Sequence, residues 1–251
     1  MKSEIKYFGL MIFLIFTSCQ KEMKKKEYYP SGNLKMIAGI NNDSIFDGLY
    51  EEYYETGEIK VKTFYKNGLI IDTVFSFHKN GNVESKGIQK NSQQLGWWFY
   101  YDLNGKLKEK REFLLVDETP YLNQIIRYNS NGIIDYGNSS FFDILIKDTL
   151  KLGGNLGEIN YYFDTLGYEK RFIRIIVENK YSENLIKQDT FLNSENKKWF
   201  GVYNYQKGLK KISGKIEDQM IFKNNTIGKK SEDEFKIRTY TKYFEKEIFV
   251  E

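Results

Sequence analysis

The chain has 251 residues, of which 17% are aromatic, and only 2 prolines, a mixture that suits half-buried strands and argues against disorder over most of its length. The net charge of +4 is too small a bias to make nucleic acid a main partner. One cysteine and one histidine exclude an internal disulfide and a structural zinc site, and nothing in the sequence calls for a cofactor.

Lys2 and Lys6 precede an apolar run from Tyr7 to Phe16, ten residues long and too short to cross a bilayer as a helix. It reads as a secretory leader. The run ends in Phe16-Thr17-Ser18-Cys19, which resembles the lipobox of bacterial lipoproteins, although Phe16 stands where that family prefers Leu. The resemblance implies a signal peptide over 1–18, a diacylglyceryl group on Cys19, and a protein held in the cell envelope by its N-terminal lipid, on the outer-membrane or periplasmic face. Residues 19–27, Cys19 to Glu27, are polar with three consecutive lysines and read as a short tether.

A repeat follows, predicted over 28–137. Tyr28-Tyr29-Pro30-Ser31-Gly32-Asn33-Leu34-Lys35 returns as Tyr53-Tyr54-Glu55-Thr56-Gly57-Glu58-Ile59-Lys60, then around Gly81, Gly105 and, more loosely, Gly132. These glycines stand 25, 24, 24 and 27 residues apart, each with an aromatic four before it and an aliphatic two after. A glycine turn between alternating segments predicts a β-hairpin. Lys66-Asn67-Gly68 predicts a second turn, and Gly48-Leu49-Tyr50 and Gly96-Trp97-Trp98 sit at equivalent places upstream of the signature. One hairpin cannot bury its apolar face alone, so stacked copies should form an elongated antiparallel sheet. The pattern is similar to the second variant of the MORN repeat. That resemblance implies a stacked sheet used for binding or scaffolding, without shared catalytic residues. The resemblance also implies an antitoxin-like alternative, since some bacterial chains with such repeats are labelled antitoxins of toxin–antitoxin pairs.

From 138 to 251 the repeat fades into short Ile-, Phe- and Tyr-rich runs, which suggest a separate β-sandwich, loosely similar to immunoglobulin-like modules. The alternative is that the repeat sheet simply continues, since Tyr162 to Gly167 echoes the signature. The expected fold is therefore all-β, a stacked hairpin sheet followed by a sandwich.

Catalytic groups are scarce. His78 occupies the repeat slot of Tyr29, Tyr54, Asp102 and Asn129, and Cys19 is committed to lipid, so triads and Cys-His pairs fall away. Glu51 and Glu52 are adjacent on a strand and point to opposite faces, while Glu55 and Glu58 flank a turn. Gly153-Gly154-Asn155-Leu156-Gly157 lacks the Lys-Ser/Thr of a phosphate loop and reads as a turn. Trp97 and Trp98 must face opposite sides of their strand, so one of them is a candidate anchor for a protein or glycan partner. The expectation is a binding protein rather than an enzyme, with an antitoxin-like protein and a carbohydrate-active enzyme using paired carboxylates as alternatives.

Overall fold

A computed structural model describes residues 23–163, 167–193, 198–223 and 235–251. The leader and Cys19 lie outside the described residues, as do 164–166 of the predicted sixth echo. Among the described residues the chain is strand throughout, with one 3-10 turn at Tyr136–Asn138 and no α-helix.

The repeat region contains β1 (Met23–Tyr28), β2 (Leu34–Ile40), β3 (Phe46–Tyr53), β4 (Ile59–Lys66), β5 (Leu69–Ile70), β6 (Val74–Phe77), β7 (Val83–Lys90), β8 (Gln93–Tyr101), β9 (Leu107–Val116) and β10 (Thr119–Arg127). Successive strands pair antiparallel, with β5 and β6 lying one after the other along β4. The predicted tether is corrected in part. Residues 23–27 belong to β1 and pair with β2 from Met23–Ile40 onward, because backbone pairing does not require the apolar alternation whose absence suggested a tether. Lysines on such an outer strand are a common protection against further pairing.

All five signature turns are alike. The residue three before each glycine accepts from the glycine N–H, and its own N–H donates to the carbonyl four residues on, as at Tyr29–Asn33 and Asn129–Ile133. The five glycines have φ between 78° and 104°, the left-handed region where a Cβ is strained. Each turn is closed by the aromatic and aliphatic residues noted in the sequence: Tyr28 opposite Leu34, Tyr53 opposite Ile59, Phe77 opposite Val83, Tyr101 opposite Leu107 and Tyr128 opposite Ile134. The far edge carries tight turns at Asn67-Gly68, Asn91-Ser92 and Asp117-Glu118, each with two consecutive positive φ angles.

The C-terminal strands are β11 (Ser140–Leu145), β12 (Thr149–Leu150), β13 (Gly153–Phe163), β14 (Lys170–Ser182), β15 (Leu185–Asn193), β16 (Lys198–Asn204), β17 (Gly208–Lys223) and β18 (Phe235–Val250). Strands β11, β13 and β16 pair in one group, and β15, β14, β17, β18 and β12 in another, and the two are joined by a parallel pairing of β14 with β16 at Lys180–Asn204. The two groups share a core in which Ile159 and Phe200 of the first meet Ile175, Ile216 and Phe244 of the second. The predicted turn at 153–157 is a correction: Gly153 to Gly157 open β13, paired with β16 from Gly153–Asn204 to Gly157–Phe200. A Cβ on Gly157 would fall 2.4 Å from the Phe200 ring, so glycine here permits a close approach.

Among the described residues the repeat and C-terminal strands join through the backbone pairing Ile125–Ser140 and through side chains. Asn123, 1% exposed, donates to the Tyr243 carbonyl and accepts from the Tyr243 N–H, completing a strand-like bond pair with its side chain. Gln124 accepts from the Phe142 N–H, and Lys242 donates to the Asn123 carbonyl.

Candidate binding face

Hairpin stacking keeps the strands in register across the sheet. Reading partners from β1 to β4 gives Lys26, Ile37, Glu51 and Lys62, and continuing across β6 to β10 gives Phe75, Lys86, Phe99, Lys110 and Ile126. Direct cross-strand neighbours share a face, so from Lys62 to Lys110 this row alternates cations with rings along one side of the sheet. Phe77 stacks on Phe75 at 6.4 Å on that side.

The charges on this face are unequally matched. Lys62 pairs with Glu51 at 3.0 Å. Burial would raise the Glu51 carboxyl, but hydrogen bonds from Lys62 and Tyr53 outweigh it and hold the group below its ordinary range. Among the described residues no acid pairs with the two lysines farther along, Lys86 and Lys110. The Lys86 ammonium lies 5.8 Å from the ring centres of both Phe99 and Tyr101, and that of Lys110 lies 5.0 Å from Trp97. At exposed sites such contacts hold about 0.5–1 kcal/mol, loose enough for an incoming anion to draw the ammonium away.

The two tryptophans divide as strand geometry requires. Trp98 is 4% exposed on the opposite face, where its indole N–H donates to the Ile88 carbonyl. It covers Gly87 so closely that a Cβ there would stand 2.4 Å from the ring. Trp97 is half-buried on the cation-bearing face, beside Lys110. The pair therefore supplies one buried ring and one half-buried ring in contact with a lysine. Glu51 and Glu52 diverge likewise, Glu52 pairing with Lys60 at 2.8 Å.

His78 belongs to a ladder between copies. Tyr29 donates to the Tyr53 carbonyl and Tyr54 to the Phe77 carbonyl, both at 2.7 Å, and His78 Nε2 reaches the Tyr101 carbonyl at 3.2 Å. In the next copy Asp102 turns back instead, accepting from the N–H groups of Asn104 and Lys106 in its own loop.

Lys86, Lys110, Phe75 and Phe99 were not singled out from the sequence. The signal was present: Lys62, Lys86 and Lys110 are 24 residues apart, as are Glu51, Phe75 and Phe99. Tracing the period through the strands rather than only the turns brings them out. Beside the row, a groove of about 670 Å³ separates the repeat strands from the C-terminal ones, lined by Glu112, Leu114, Ile176, Lys215, Tyr243 and Glu245 among others. No cluster of acid, histidine or cysteine side chains suited to a metal occurs among the described residues.

A MORN repeat variant matches the chain at residues 21–42, 46–67 and 96–114. The first match begins before the predicted repeat and takes in β1. The copies around Gly81 and Gly132 are not among the matched segments, though their turns have the same bonds. No curated protein matches the chain. Such repeats suggest a binding or scaffolding role based on the repeats themselves.

Proposed function

We propose that the chain is a lipid-anchored protein of the cell envelope whose repeat sheet serves as a binding or scaffolding surface for a protein or glycan partner, without catalysis of its own. The observation that carries the binding part is the in-register row of lysines and aromatic rings on one face, where Lys86 and Lys110 rest on rings. The leader and Cys19 support the anchor. With β1 starting at Met23, only three residues separate Cys19 from the first strand, a reach of about 10 Å when extended. The anchored sheet is thereby kept close to the bilayer, with Lys24, Lys25 and Lys26 at the anchored end. Anionic headgroups would add about 1 kcal/mol of adhesion for each lysine near them.

The test is membrane fractionation of the native protein beside Cys19→Ala, with protease added to intact cells. Membrane association that depends on Cys19 is the expected result, and cleavage by external protease would place the sheet at the cell surface. Recovery of both forms in the cytosol would overturn the anchor and favour the antitoxin-like reading. Turnover of a polysaccharide or ester, abolished by removal of one carboxylate, would overturn the absence of catalysis.

A further inference from the structure

We infer that the face carrying Lys86, Phe99, Lys110 and Trp97 binds a linear acidic polysaccharide of the uronic-acid class. This rests on the binding-surface reading above and specifies the partner's chemistry. Lys86 and Lys110 sit on strands separated by one other, so about 10 Å divides their backbone positions. Each ammonium contacts rings rather than a carboxylate. Two acids share the face, Glu84 two residues before Lys86 and Glu112 opposite Trp97, but Glu112 is engaged by the Asn123 and Gln124 amides and neither pairs with Lys86 or Lys110. Between them the face offers sparse positive charge with ring surface between, and the matching ligand is a chain of sparse negative charge with flat C–H surface between.

A polyuronate has that character. Its pyranose rings carry axial C–H bonds whose positive edge suits the negative face of an aromatic ring, while its carboxylates accept from lysine at intervals set by the sugar repeat. Duplex nucleic acid is a poorer match, because it carries a charge about every 1.7 Å of axis. An acidic peptide could pair with the lysines but has no rigid C–H face for Trp97 and Phe99, and extended peptides usually dock on sheet edges by backbone pairing. The row lies on a face.

The experiment uses the full-length chain in detergent, titrated with a galacturonic-acid octamer, a neutral cello-oligosaccharide of similar length and poly-L-glutamate. The octamer should bind in a salt-sensitive way and the neutral oligosaccharide should not. Lys86→Gln with Lys110→Gln should weaken the octamer about tenfold or more and flatten its salt dependence, and Trp97→Ala should weaken it with the salt dependence retained. Circular dichroism confirms folding of each variant, and Lys207→Gln, at an exposed loop position between β16 and β17, serves as a control. Octamer binding no better than neutral binding, or equal in all variants, overturns the inference. Preference for poly-glutamate that depends on Lys86 and Lys110 also overturns it, while leaving the binding surface in place. Fractionation with Cys19→Ala is insensitive to glycan binding, so the anchor and the ligand can fail separately.

Discussion

Lys242 carries its ammonium into the junction with only 7% of the residue exposed, and burial lowers its pKa to about 8, although Glu112 and Asp218 both pull it upward. A lysine lowered in the folded state is less protonated there than in the unfolded chain between pH 8 and its ordinary 10.5. The unfolded state then binds more protons, so stability should rise from about pH 8 to 10, and Lys242→Met should remove that slope in denaturant titrations across pH. Tyr50 works the other way above pH 10, since burial pushes its pKa up to about 12. His78→Ala should cost about 0.5–1.5 kcal/mol through loss of the bond to Tyr101, whereas His78→Tyr, which restores the residue of the two preceding copies, should recover it in the same measurement. Gly87→Ala places a methyl group into the Trp98 ring and should cost about 1–3 kcal/mol.

At the level of elements, the signature turns were legible because glycine, aromatic and aliphatic recur at fixed offsets, and even the loosest copy, around Gly132, has the same hydrogen bonds. The opposite turns were legible only at Asn67-Gly68. Asn91-Ser92 and Asp117-Glu118 adopt left-handed angles without glycine, so their sequence carries no punctuation. Ser92 sits at φ 62°, and Ser92→Gly should therefore stabilise the fold by about 0.5–1 kcal/mol, read as a raised denaturation midpoint. Strand β1 escaped notice because its residues, Met-Lys-Lys-Lys-Glu-Tyr, have no apolar face to announce it. Strand β15 is similar, with most of its residues exposed. The Gly153–Gly157 segment misled in the other direction, since Gly157, which admits the Phe200 ring, looks in the sequence like a turn glycine.

For the whole molecule, the junction is where the sequence was silent. Asn123 and Gln124 read as ordinary polar strand residues, and their role depends on Tyr243 and Phe142, far away in the chain. Asn123→Ala leaves the Tyr243 backbone groups without these partners and should cost about 2–4 kcal/mol. Because that loss falls between the repeat and C-terminal strands, it should split one calorimetric transition into two. The ladder of Tyr29, Tyr54 and His78, ended by the self-bonded Asp102, also gives the array a grammar. Each of these copies is tied through a side chain to a carbonyl of its downstream neighbour, so removing one copy strips a partner from the copy before it. Asp102 closes on its own loop instead, so the array behaves like a zip whose last tooth folds back on itself, with fraying expected to start from that copy.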